Sequence, residues 1–194
     1  MSDAADVVDA VERLLSELGR VVVGISGYAG AGKSVLARHL VDTLDDAVRV
    51  RGDDFLDPPR VHQRSSDWDG VERRRLRTEV LEPFRSGRPV EIRPLDWSTG
   101  RLGAPTPLPQ ASVLVIDAVG IFHPDLLPWF DLTVWVDADL DLAHERGMAR
   151  DRDAGLDHDR LWTEVWSPND HEFEQTFSPI ANANLVCASP APGR

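Results

Sequence analysis

The chain has 194 residues, 42% of them hydrophobic, which suits one domain with a substantial core and leaves little room for a second. A formal charge of -12 and a pI near 4.8 exclude general binding to nucleic acid or to an anionic membrane, because phosphate polyanions would be repelled over most of the surface. Any phosphate site must be local.

All but one of the 21 basic residues are arginine, so the position of Lys33 is informative. A compact ammonium on a flexible stem fits where a planar guanidinium does not. The single cysteine, Cys187, rules out an intramolecular disulfide and points to a packing role. Asp3, Asp6, Asp9 and Glu12 stand where a secretory leader needs basic and then apolar residues, and no apolar run reaches membrane-spanning length. A cytoplasmic location is the expectation.

In chain order, residues 3–18 place Val7, Val8, Val11, Leu14, Leu15 and Leu18 at helical spacing, with Gly19 as a stop. Residues 20–26 form a short β-branched run leading into a glycine-rich turn, the pattern of a buried parallel strand. A helix is predicted over 33–44 and a weaker strand over 47–51, followed by an irregular polar stretch at 58–70. The spacing of Leu76, Val80, Leu81 and Phe84 predicts a helix over 71–84. A strand is expected at 90–95 and a loop at 98–109. Two apolar runs, 112–117 and 132–136, look like central strands, each ending in an acid, Asp117 and Asp137. Helices are predicted over 139–151 and 156–177, a last strand over 184–188, and a frayed tail over 189–194. Short strands alternating with helices indicate a parallel sheet covered on both faces within one domain.

The segment Gly27-Tyr28-Ala29-Gly30-Ala31-Gly32-Lys33-Ser34 fits Gly-x-x-x-x-Gly-Lys-Ser between a predicted strand and a predicted helix. Its glycines allow the backbone amides to approach phosphate oxygens while the helix presents its positive end. The expected nucleotide is ATP, held by residues 27–34 with Val35 behind them; Lys33 bridges the β- and γ-phosphates and Ser34 places its hydroxyl on Mg²⁺. Asp117, at the end of its strand, is expected to reach the same metal, or simply to end a strand.

Asp53 follows the second strand, whose end should open onto the same crevice, and there a carboxylate can take the proton of an acceptor hydroxyl. Asp54 competes for that role, and the pair can equally cap a turn. Arg146 and Arg150 share a helical face and can close over ATP, with Arg150 stabilising the migrating charge; pairing with Glu145, Asp151 and Asp153 is the structural alternative. His123 and Trp97 are softer candidates for the acceptor pocket.

These residues resemble the uridine kinase and phosphoribulokinase group of P-loop kinases, from about Val21 to Val186. The resemblance rests on the phosphate loop, on Asp53-Asp54-Phe55, on Ser66-Asp67-Trp68-Asp69 before the helix ending Val80-Leu81-Glu82-Pro83-Phe84, and on Leu95-Asp96-Trp97. Ile116-Asp117-Ala118 and the lid-like Arg-x-x-x-Arg-Asp of residues 146–151 complete it. It implies a three-layer α/β/α P-loop NTPase fold with a mainly parallel five-stranded sheet and a small helical lid at about 139–155. It further implies a base and magnesium contact at Asp53, acceptor contacts at Asp69, Asp96 and Trp97, and transfer from Mg-ATP to a small hydroxyl-bearing acceptor. The lid lacks an Arg-Gly-Arg after Asp151, and the Tyr and His of uracil recognition do not occur around 95–100, so the acceptor stays open. A nucleotide-dependent regulatory protein and an ATPase are the rival readings. Oligomeric state is not fixed by the sequence.

Overall fold

The computed structural model describes residues 1–189. Helix α1 (Ala4–Leu18) starts at a reciprocal capping box between Asp3 and Asp6, and Gly19 ends it in the left-handed conformation. Strand β1 (Val21–Ser26) is buried along its whole length, as a central parallel strand must be. The glycine-rich turn then feeds α2 (Lys33–Thr43), and β2 (Ala47–Arg51) follows at the edge of the sheet. A helical segment at 73–85, α3, precedes β3 (Val113–Asp117) and β4 (Leu132–Asp137). Helix α4 (Leu140–Asp153), the segment 159–177 (α5) and β5 (Leu185–Ala188) complete the chain.

The five strands form one parallel sheet in the order β2-β3-β1-β4-β5. Ile25 of β1 and Arg51 of β2 both align with Asp117 of β3, so the carboxyl ends of three strands finish together. That common edge is where the chain leaves β1 for the phosphate loop. Among the described residues, no helix is long and apolar enough to cross a membrane.

Several expectations are corrected. Residues 90–95 do not join the main sheet; they split into Glu91–Ile92 and Leu95–Asp96, which pair antiparallel with Thr106–Pro107 and Arg101–Leu102 inside the predicted loop. Pro94 divides the run, and the resulting double hairpin stands apart from the main sheet. Helices α3 and α5 each widen into a π-turn, at Arg77–Leu81 and at Trp162–Trp166. Each π-turn ends two residues before a proline, Pro83 or Pro168, whose missing N–H and bulky ring cannot be fitted to a regular α-ladder. Ser189 is not frayed: its amide bonds to Asp137 O at 2.7 Å and its hydroxyl to Ala31 O at 2.7 Å. The rest of the predicted tail, 190–194, lies outside the described residues.

Candidate active site at the phosphate loop

The loop is enclosed on its outer side by α4. At Gly30, with φ of +83°, an added Cβ would lie 1.9 Å from the Ala143 carbonyl oxygen, so only glycine lets loop and helix approach this closely. Helix α2 starts directly after the loop, at Gly32 with φ of +98°, so its first amides, which lack an intrahelical carbonyl, lie beside the loop as an anion site requires. Lys33 folds back, its Nζ donating to Gly27 O at 2.9 Å and Tyr28 O at 2.8 Å. Burial lowers the pKa of Lys33; the charges of Asp170, Asp53 and Asp117 oppose that shift, and Arg150 reinforces it. Tyr28 is buried edge-on to Trp135, and burial together with Glu174 holds its hydroxyl protonated. Val35 points outward and is 47% exposed.

Ser34 Oγ donates to Asp117 Oδ2 at 2.7 Å. Asp117 is also gripped by Arg49 of β2, with Nε on Oδ1 at 2.6 Å and Nη2 on Oδ2 at 2.8 Å. This bidentate pair raises the pKa of Arg49. Asp53 occupies a 3₁₀ turn, Gly52–Phe55, that directly follows β2; its carboxylate is half exposed and stands 3.8 Å from Arg51. Burial raises the pKa of Asp54 beside it. No group of three or more His, Cys, Asp or Glu among the described residues is placed to hold a metal by itself. Ser34 and Asp117 nevertheless fit Mg²⁺, because they present hard oxygens beside the phosphate cradle and that ion completes its shell with phosphate and water.

The acceptor-side candidates are more dispersed. Asp69 lines an open cleft of about 560 Å³ with Arg60, Glu72, Arg73, Arg74 and Asp125, and the walls of that cleft include neither the phosphate loop nor Asp53. His123 sits behind it against Phe177, with ring centroids 4.7 Å apart, and its Nδ1 accepts the Asp125 amide at 3.2 Å. Burial and the Arg73 charge lower its pKa. Asp96 and Trp97 lie on the double hairpin and are not among the cleft's lining residues. The Asp96 carboxylate is committed to the turn it caps, accepting Ser98 Oγ at 2.6 Å and Thr99 Oγ1 at 2.8 Å, while Trp97 is 47% exposed.

The lid arginines divide. Arg150 pairs with neighbouring Asp151 and remains largely exposed, whereas Arg152 turns away to Asp159. Arg146 donates to Ser189 Oγ at 2.9 Å, the same hydroxyl that donates to Ala31 O of the loop. Asp151 is the buried anchor of this region; although burial opposes it, bonds from Trp162, Arg150 and His158 hold its carboxyl below the ordinary range.

Sequence reasoning missed a second heavily bonded acid near the loop. Asp170, on α5, is 4% exposed; Oδ2 accepts the Ala29 amide at 2.8 Å and lies 3.1 Å from His144 Nε2, while Oδ1 accepts Trp68 Nε1 at 3.1 Å. A signal was present: Asp170 shares the helical face of Trp162, Trp166, Phe173 and Phe177, where an acid is out of place unless partnered. Arg49 carried no comparable signal, being an ordinary position of an amphipathic edge strand.

No protein-family model matches the chain. Among curated proteins it is similar to a uridine kinase of Deinococcus deserti, 27% identical over 146 residues, covering 67% of this chain and 68% of that protein. It is also similar to the Arabidopsis thaliana inorganic pyrophosphatase TTM2, 27% identical over 126 residues, or 61% of this chain and 18% of the relative. The match likewise spans only about a quarter of TTM1 and of uridine-cytidine kinase C of Dictyostelium discoideum. Among solved structures, a possible uridine kinase from Bacillus stearothermophilus superposes with a TM-score of 0.70 at 16% identity, covering 94% of this chain and 98% of the other. A candidate fructose transport system kinase from Silicibacter sp. TM1040 superposes with a TM-score of 0.75 at 20% identity, covering 96% and 99%. The chain thus has the α/β fold of the uridine kinase-like P-loop kinases and resembles uridine kinases in sequence.

Proposed function

We propose that the chain is a cytoplasmic, ATP-dependent small-molecule kinase that moves the γ-phosphoryl group of Mg-ATP onto a hydroxyl of a nucleoside-like or other small metabolite. The observation that carries this reading is the meeting of the loop and two acids at one sheet edge: Ser34 Oγ bonds Asp117 at 2.7 Å, and Asp53 sits in the turn directly after β2, whose Arg51 aligns with Asp117. A loop that served nucleotide binding alone would need no half-exposed carboxylate at the end of the edge strand.

In this reading the phosphates settle on loop amides between Gly27 and Ser34 other than those of Ala29 and Ala31, which bond Asp170 and Tyr28, and Lys33 exchanges its two carbonyl partners for β- and γ-phosphate oxygens. Ser34, Asp117 and Asp53 would hold Mg²⁺, which neutralises charge on the phosphate oxygens. Arg49 fixes the Asp117 carboxylate for that task. Asp53 accepts the proton of the acceptor hydroxyl as its oxygen bonds to γ-phosphorus and the bond to the β-phosphate oxygen breaks, releasing ADP. Arg150, freed from Asp151, and Arg146 stabilise the charge in transit. Asp54, Asp69, Asp96, Trp97 and His123 are the acceptor-recognition set, of which Asp69 lines an open cleft. No nucleic acid or membrane partner is part of this reading.

An acceptor screen with Mg-ATP, scoring phosphorylated product across nucleosides, sugars and carboxylated alcohols, tests it. Product from none of these would overturn the kinase reading. Phosphate release at one rate whatever acceptor is added would replace it with ATP hydrolysis. Nucleotide binding that alters a partner's affinity without turnover would replace it with a regulatory role.

A further inference from the structure

Helix α5 carries two adjacent buried polar side chains that bond outward to parts of the chain more than a hundred residues away. Asn169, 1% exposed, accepts the Ser65 amide at 2.8 Å and Arg64 Nη1 at 2.7 Å, and its Nδ2 donates to Gln63 O at 3.0 Å. Asp170 takes up the next part of the same segment through Trp68, and from the other side it holds the Ala29 amide of the phosphate loop. Residues 63–69 contain almost no regular structure, so these bonds, not a backbone ladder, fix their course.

Trp68 carries the clearest sign of constraint. Its φ is +54°, costly for a bulky residue, yet it is 2% exposed and seated over Gly120, where an added Cβ would lie 2.6 Å from Trp68 Cβ. Arg73 Nη1 bonds the Trp68 and Asp67 carbonyls from the far side, at 3.1 and 2.8 Å. The conformation is therefore imposed by surrounding groups, and the residue that follows it is Asp69. On the nucleotide side, Asp170 is the foremost charge favouring the protonated form of Lys33, and its contact with His144 ties α4 to the same carboxylate.

We propose that Asp170 is a positioning residue that joins the two halves of the active site: through one carboxylate it sets the Ala29 turn of the phosphate loop and holds Trp68 strained so that Asp69 faces the acceptor. It touches neither substrate. Nucleotide bound on the loop should then steady residues 65–69 before any acceptor arrives. The inference rests on the nucleotide binding and the Asp69 acceptor contact of the proposed function, and not on the identity of the acceptor.

Hydrogen exchange of the full chain, with and without Mg-ADP as the probe, reads this linkage directly. In the wild type, Mg-ADP should slow exchange both in the loop and at residues 65–69. Asp170→Asn places a donor where a charged acceptor stood, and should weaken Mg-ADP binding about tenfold while abolishing the nucleotide-linked protection of 65–69. Trp68→Phe removes the indole N–H together with part of the ring while keeping an aromatic side chain in the pocket; it should keep Mg-ADP affinity within about twofold yet lose most of that protection. If Asp170→Asn fails to fold, the phenylalanine variant decides alone. Unchanged protection of 65–69 in a folded Trp68→Phe protein, or no ADP-linked protection there in the wild type, overturns the proposal. A wild type that binds no nucleotide overturns both this proposal and the kinase reading; binding without transfer to any acceptor overturns only the latter.

Discussion

The two halves of the crevice are built differently. At the phosphate end the side chains and turns are tied to one another: Lys33 to two loop carbonyls, Ser34 to Asp117, Asp117 to Arg49, Ala29 to Asp170, and Ala31 to Ser189. At the proposed acceptor end Asp53 stands half exposed in a short 3₁₀ turn, Asp69 opens onto a cleft, and Trp97 projects from a two-residue ladder. Charge on a triphosphate is the same for every ATP-using protein, so its cradle can be rigid and preorganised. Acceptor recognition has to differ between relatives, and it is assigned to short elements that can change without disturbing the sheet.

The contrast can be broken first at Lys33. Lys33→Met should reduce turnover about a thousandfold or more while the protein stays folded, measured as Mg-ATP-dependent product formation alongside circular dichroism. A milder loss would mean that the loop amides suffice. Asp53→Asn should lower kcat by about a hundredfold or more while weakening Mg-ADP affinity far less, because Ser34 and Asp117 still hold the metal. If Asp54→Asn gives that pattern instead, the base is the neighbouring acid.

Effects on stability should follow burial. Asp117→Ala leaves Arg49 without its partner inside the sheet edge and should cost about 3 kcal/mol in urea unfolding, as well as weakening magnesium dependence. Asp151→Asn should cost about 1–2 kcal/mol at neutral pH. The sign follows from its depressed folded pKa: the stabilisation is complete above the ordinary carboxylate range and is lost as pH falls through the folded value, so the variant's stability should vary less with pH below about 4. Trp97→Ala, at an exposed site, should change stability by less than about 0.5 kcal/mol while raising the KM of the acceptor and leaving that of ATP unchanged. An unaltered acceptor KM would remove the hairpin from the site.

The central strands were readable because β-branched runs bounded by glycine and acid leave few alternatives, and the phosphate loop because its glycines, lysine and serine have a fixed spacing between strand and helix. Residues 90–109 were not, since strands of two residues carry no periodicity and their pairing depends on turns around Pro94 and Asp96. The π-turns were likewise silent, although Pro83 and Pro168 marked where a regular ladder would fail. Asp96 illustrates the limit at the site: the sequence places it beside Trp97, but only the structure reveals that Ser98 and Thr99 occupy its oxygens.

By itself, then, the sequence determined the parallel α/β architecture, the anion cradle from Gly27 to Ser34, and the acids that end the strands beside it. These follow from local spacing and composition, which the chain carries wherever it goes. Tertiary structure alone decided that Arg49 would hold Asp117, that Ser189 would reach back to Ala31, and that Asp170 would bond both Ala29 and Trp68. Those partners are 68 to 158 residues apart, and at that separation a hydrogen bond is set by how helices and sheet pack, which no local pattern encodes.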